Sequence, residues 1–176
     1  MLVASLLFAG GAAKAEMTAS IGACGGKDIA LYKWDIVALT EDPINRDPDI
    51  NKHVLHEGSC QNLVRYHSAY YAFANADNAK AFAEDPEKYR GRIAFGGLCA
   101  MGFAGYPPKN VLPHATMAPS VVMFYKDRFY FQTDESKAEL WQKDPDGNIE
   151  RGLQHYADLD FAVRVSDRFV PAHPED

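Results

Sequence analysis

The feature that most constrains this chain is that one short pattern occurs in it twice. Shifting the first occurrence by 59 positions lays Tyr71 on Tyr130, Phe82 on Trp141 and Asp85-Pro86 on Asp144-Pro145. The first copy opens with "NLVRYHSAYYAF" (62–73), two aromatic-rich runs around His67-Ser68. That composition reads as a β-hairpin. Asn75 is placed to cap a following helix, whose apolar stripe is Ala79, Phe82 and Ala83. Asp85-Pro86 stops it, because the residue before a proline is pushed out of helical geometry. In the second copy, "VVMFYKDRFYF" (121–131) is the hairpin with its turn near Lys126-Asp127, Asp134 is the cap, and Leu140 and Trp141 face inward.

A hairpin with one helix cannot bury its own apolar face, so the two copies are expected to share one core. The fold class that follows is α+β, a small single domain of two β-hairpin–helix units. A chain of 176 residues with 47% hydrophobic residues suits one good core and hardly two independent ones. Upstream of the first hairpin, "ALYKWDIVALTED" (30–42) is aromatic and β-branched, consistent with a strand or buried segment that enters a polar turn at Glu41-Asp42-Pro43. Residues 43–60, rich in Pro, Asn and Asp in their first half and without a clear period, read as an exposed loop.

The N-terminal run "LVASLLFAGGAA" followed by "AKA" has the length and small-residue ending of a cleavable export signal, so residues 1–15 are read as a signal peptide and 16–176 as the mature domain. The run is too short to span a bilayer, and no stable membrane insertion is expected. A periplasmic or secreted location follows. Removing Lys14 with the signal leaves a mature net charge of about −7, and no basic patch is visible. Nucleic acid and anionic lipid are thereby disfavoured as partners.

An oxidising compartment gives the three cysteines, Cys24, Cys60 and Cys99, an odd count with consequences. A disulfide between Cys24 and Cys60 would tie the mature N-terminus to the first hairpin and leave Cys99 free. Against that stands a metal reading. "HVLHEGSC" (53–60) places His53, His56 and Cys60 within one loop, and imidazole with thiolate suits copper or zinc. A solvated, histidine-rich loop would carry the same letters. Cys99 with Met101, His114 and Met117 forms a softer set that would favour Cu(I), although methionine more often packs than ligates. Cys99 itself follows Gly96-Gly97, a pair that permits positive φ and could present a thiol to a pocket, or Cys99 is a small apolar filler.

The run "DIALYKWDIVALTED" together with "YYAFANADNAKAFAEDPEKYRGRIAFGGLCAMGF" resembles the YHS domain family in its secreted bacterial form. The resemblance rests on Trp34-Asp35-Ile36-Val37-Ala38, Tyr71 and Phe73, Phe82 with Pro86 and Tyr89, and Gly96-Gly97-Leu98-Cys99-Ala100, and it covers about residues 27–160. It implies a treble-clef-like hairpin related to metal-binding modules of heavy-metal transporters. The chain departs from that metal-binding branch: where a cysteine pair would follow the hairpin stand Ala74, Asn75 and Asn78. None of these is a soft ligand.

Three function classes are therefore carried forward. The first is a non-enzymatic module that binds a metal ion, copper or zinc, or a small molecule, with Cys99, His53, His56 and Cys60 as metal candidates and Tyr71, Tyr130 and Trp141 as ligand-binding candidates. The second is a cysteine-dependent enzyme with Cys99 as nucleophile, His67 or His114 as base and Asp35 as orienting group. No Gly-x-Ser-x-Gly elbow, His-Glu-x-x-His pair or phosphate-binding glycine loop supports it. The third is a protein-interaction module with an exposed aromatic surface.

Overall fold

The computed structural model describes residues 23–27, 29–66, 69–105 and 119–157. Residues 1–15, expected from sequence to be a leader, and His67-Ser68, His114 and Met117 lie outside the described residues. The helices and strands in chain order are α1 (Ile36–Glu41), β1 (Ser59–Tyr66), β2 (Ala69–Phe73), α2 (Ala76–Glu84), α3 (Pro86–Arg90), α4 (Ala100–Gly105), β3 (Val121–Tyr125), β4 (Arg128–Gln132), α5 (Glu135–Gln142) and α6 (Pro145–Ala157). This is a small α+β fold with two antiparallel hairpins, β1–β2 and β3–β4.

Both hairpin–helix units form as the sequence repeat predicts. Asn75 accepts from the Asn78 amide to start α2, and Asp134 accepts from the Lys137 amide to start α5. The turn of the second hairpin falls at Lys126 and Asp127, whose positive φ of 47° and 62° matches the twist of the strands they join. Asp85-Pro86 ends α2 and at once begins α3, with the Asp85 carboxylate accepting from Lys88. Proline at a first helical position costs no hydrogen bond, so a stop and a start occupy the same dipeptide. Asp144-Pro145 does the same before α6, where Asp144 accepts from the Gly147 amide at 3.1 Å.

The segment upstream of the first hairpin differs from the strand reading. Residues 30–33 make a 3₁₀ turn, and Ile36–Glu41 is helical despite its β-branched content. The cause is Asp35, wholly buried, whose Oδ1 accepts from the amides of Val37 and Ala38. Its Oδ2 accepts from the Ala74 amide and the Asn78 side chain, each at 2.8 Å. One carboxylate thus caps α1 and pins it to the start of α2. Four donors meet all the acceptor directions it has.

The loop reading for residues 43–60 holds in part. The stretch carries two 3₁₀ turns, but Asn45 is fully buried, donating to the carbonyls of Leu39 and Val54 and accepting from the Val54 amide, and β1 already begins at Ser59.

The second hairpin joins the two halves. Val122, Phe129 and Phe131 face a cluster built on Leu31, Ile36, Leu39, Tyr71, Phe73 and Phe82. Met123 and Tyr130, pointing the other way, face Phe95, Leu98, Phe103 and Trp141. Alternation along β3 and β4 therefore gives each unit one side of the same sheet. Leu140 does not face inward as its neighbour Trp141 does; it is 45% exposed, because the buried stripe of α5 runs through Ala138 and Trp141.

A candidate ligand cavity in the second unit

The repeat persists in side-chain chemistry. Tyr71 packs on Phe82 with centroids 4.6 Å apart, and Tyr130 packs on Trp141 at 4.9 Å, both tilted. Tyr66 meets the edge of Phe82 at 6.1 Å and 85°, and Tyr125 meets Trp141 at 5.6 Å and 84°. The Tyr66 hydroxyl donates to Glu87 at 2.9 Å, and the Tyr125 hydroxyl donates to Asp146 at 3.1 Å. Every pair is related by the same shift of 59.

At one position the two units part. In the first, Arg90 donates from Nε to the Tyr71 hydroxyl at 3.1 Å, pairs with Glu87, and lies 5.0 Å from the Tyr66 ring centroid. It is 6% exposed and fills the space between the two tyrosines and the acid. The same shift puts Ile149 in its place in the second unit. There a cavity of about 210 Å³ opens, walled by Ala94, Phe95, Tyr130, Ile149 and Leu153, with Lys126, Arg128 and Asp146 at its edge.

Tyr130 is 3% exposed, and its hydroxyl makes no hydrogen bond among the described residues. Burial pushes that phenol up to about 12, so it stays protonated and able to donate. The cation that Arg90 brings in the first unit comes in the second from the hairpin turn: Lys126 Nζ lies 2.6 Å from Asp146 Oδ1. This ion pair holds the Asp146 carboxylate below the usual range and raises the Lys126 ammonium, each through their mutual hydrogen bond first. Phe95 reaches the cavity from a turn with φ of 51°, its ring pressed on Gly152 of α6, where a Cβ would collide with it.

The metal candidates are dispersed or occupied. Cys60 is bonded to Cys24, with Cα atoms 5.1 Å apart, so it offers no thiolate. His53 contacts the Val122 carbonyl through Nδ1 and the Asp47 carbonyl through Nε2, each at 2.6 Å. Both ring nitrogens are thus taken up by backbone carbonyls of the protein. His56 lies 3.7 Å from Asp42. Among the described residues no group of three His, Cys, Asp or Glu side chains is arranged to hold a metal ion.

Cys99 is the free thiol and is buried. It stands before α4 as Asp35 stands before α1, following a left-handed turn through Phe95, Gly96 and Gly97 that matches the one through Leu31, Tyr32 and Lys33. Its Sγ lies 3.4 Å from Gln132 Oε1, which also accepts from the Met101 amide, so a glutamine from β4 caps the helix where Asp35 serves in the first half. Burial first, and Cys99 second, raises the neighbouring Tyr32 phenol. The orienting group proposed for a thiol enzyme, Asp35, is spent on the four donors already described.

Of the ligand-binding candidates, Tyr130 lines the cavity, Trp141 lies buried behind it, and Tyr71 is the sealed counterpart. All three rings are at most 3% exposed, so they form no surface aromatic patch. The residues missed from sequence are Arg90, Lys126, Arg128, Asp146 and Ile149. The signal was present, because the shift that pairs the tyrosines also pairs Arg90 with Ile149 and Glu87 with Asp146. No family model, curated protein or solved structure matches the chain.

Proposed function

We propose that the chain is an exported, non-enzymatic small-ligand-binding module related to secreted YHS proteins, and that its ligand enters the cavity beneath Tyr130. The observation that carries this reading is the unequal fate of two equivalent tyrosines. Tyr71 is closed by Arg90, whereas Tyr130 presents an unspent hydroxyl to an apolar chamber. A hydroxyl lining an otherwise apolar chamber is the kind of placed polar group by which binding sites orient a ligand. The volume is below the roughly 300–1,000 Å³ of sites for drug-sized molecules, which points to a compact ligand. Export is supported by the apolar leader and by the Cys24–Cys60 bridge, since disulfides persist in oxidising compartments.

The test is to follow backbone amide chemical shifts while small organic fragments are added. Shifts clustered at Ala94, Phe95, Tyr130, Ile149 and Leu153, with Tyr71 and Arg90 unmoved, are the expected result. Fragments that leave this cluster unmoved, or that act on the first unit instead, would contradict the reading.

A further inference from the structure

Resting on the reading of the Tyr130 cavity as a binding chamber, we infer that its occupant is an uncharged compact molecule, an apolar body about one ring or one branched chain in size that carries a hydrogen-bond-accepting carbonyl oxygen. The wall sets the body of the ligand. Ala94, Phe95, Ile149 and Leu153 offer no hydrogen-bonding side chain, so apolar atoms gain by leaving water there, in a volume of about 210 Å³. Tyr130 sets the oxygen. It lines the same space, and its hydroxyl has no partner among the described residues. Burial keeps that phenol protonated, with a pKa pushed up to about 12, so what it offers a ligand is a neutral donor.

The charges around the chamber are already matched. Asp146 accepts from Lys126 at 2.6 Å and, on the same oxygen, from the Tyr125 hydroxyl at 3.1 Å. Arg128 is engaged within the protein as well. These are the charged residues among those lining the cavity, so its edge holds no unspent charge of either sign. The fields that reach the Tyr130 phenol also oppose one another: after burial, Arg128 lowers its pKa and Asp146 raises it.

An ion entering the chamber would have to break a pair in order to make one. A cation gains Asp146 by displacing Lys126, and an anion gains Lys126 by displacing Asp146. The side chains of Lys126 and Asp146 are 62% and 64% exposed, so a pair there is worth little in either arrangement, whereas the incoming ion gives up its water against an apolar wall. An uncharged ligand leaves the pair in place. The first unit shows the other arrangement, in which the guanidinium of Arg90 carries its charge inward to both the Tyr71 hydroxyl and Glu87. In the second unit the cation stays at the rim on Lys126, and the tyrosine hydroxyl is left for an oxygen of the ligand.

The experiment titrates the full chain by calorimetry with probes of nearly one shape: acetophenone, benzoate and benzamidine, with isopropylbenzene, in which a methyl group replaces the carbonyl oxygen, as the comparison for the hydrogen bond. Acetophenone is expected to bind about tenfold or more tighter than either ion. Tyr130→Phe is expected to lower acetophenone affinity about fivefold, a larger loss than isopropylbenzene suffers. Should that variant disturb the fold, the carbon-13 shift of a labelled acetophenone carbonyl bound to the unaltered protein reads the same contact, and is expected downfield of its value in an alkane. Benzoate or benzamidine binding as tightly as acetophenone would overturn the uncharged assignment while leaving the chamber standing. A carbonyl carbon at its alkane position, or equal losses for acetophenone and isopropylbenzene in a folded Tyr130→Phe protein, would overturn the bond to Tyr130. Failure of all the probes, together with a fragment screen that does not move Tyr130, would overturn the chamber and the assignment with it.

Discussion

Arg90 donates to the hydroxyl of Tyr71 across 3.1 Å, while Ile149, its counterpart in the second unit, leaves the hydroxyl of Tyr130 facing a cavity. A single difference in side chain thus separates a packed unit from a hollow one. Arg90 also anchors stability, since it donates to the buried Tyr71 hydroxyl and its guanidinium lies over the Tyr66 ring.

Replacing Arg90 with alanine should destabilise the protein by about 2 kcal/mol, the typical cost of losing a hydrogen bond that involves a charged group together with buried stem contacts. Glu87 is 60% exposed, so the ion pair itself adds little. Arg90→Met, which keeps most of the stem, should lose less. Urea denaturation measures both, and a change within about 0.5 kcal/mol for the alanine variant, the range of an ordinary surface substitution, would contradict the sealing role.

Asp35 and Cys99 occupy matching places before α1 and α4 but do unlike work. Asp35→Ala removes a helix cap and strands the Ala74 amide and the Asn78 side chain, so a loss of about 3 kcal/mol or more is expected. Cys99→Ala leaves the Met101 amide on Gln132 and should cost about 1 kcal/mol, with the affinity of any cavity ligand unchanged. Equal losses at the two sites, read from denaturation midpoints, would refute this division.

The Cys24–Cys60 bridge spans 36 residues of sequence. Closing a loop of that length in the unfolded chain is expected to stabilise the fold by about 3–4 kcal/mol. Cys24→Ser with Cys60→Ser should lower the unfolding free energy by that amount. In the oxidised protein a thiol reagent should titrate Cys99 alone, and only on unfolding, because the residue is 2% exposed. Rapid labelling of Cys99 in the native state would contradict its burial.

Acid should weaken the fold through three carboxylates. Asp47 is lowered first by the Asp49 amide, Asp134 first by the Ser136 hydroxyl and Asp146 first by Lys126. Their folded values lie below the usual value for an aspartate, so the stability they contribute is complete above the unfolded pKa and is lost as pH falls through the folded values. Lys52, Lys88 and Lys126 are raised above 10.5, so their contribution is complete below the unfolded value and disappears as pH rises through the folded ones. Denaturation midpoints should fall below about pH 4 and again above about pH 10.5, and Asp134→Asn should flatten the acid limb.

How much of this was legible in the letters varies by element. The hairpins, the caps Asn75 and Asp134 and the turn at Lys126-Asp127 follow from local rules that the fold obeys. Helix α1 was hidden because Ile36, Val37 and Thr40 favour strands, and it takes the Asp35 cap on Val37 and Ala38 together with its tertiary contacts to Ala74 and Asn78 to override them. The left-handed turn was legible at Gly96-Gly97 and illegible at Leu31-Tyr32, where non-glycine residues take φ near 50°. The cavity was written in the repeat as Arg90 against Ile149, but a missing side chain becomes a site only once both units are seen to pack alike.

The account therefore rests most directly on Ile149→Arg. This variant gives the second unit the plug that closes the first, in a position that lines the cavity. Binding of a fragment that shifts the cavity amides, followed by Trp141 emission in wild type and variant, should be abolished by the arginine while the denaturation midpoint is held or raised. A folded Ile149→Arg protein that binds as the wild type does would show that the space beneath Tyr130 is not where the ligand goes.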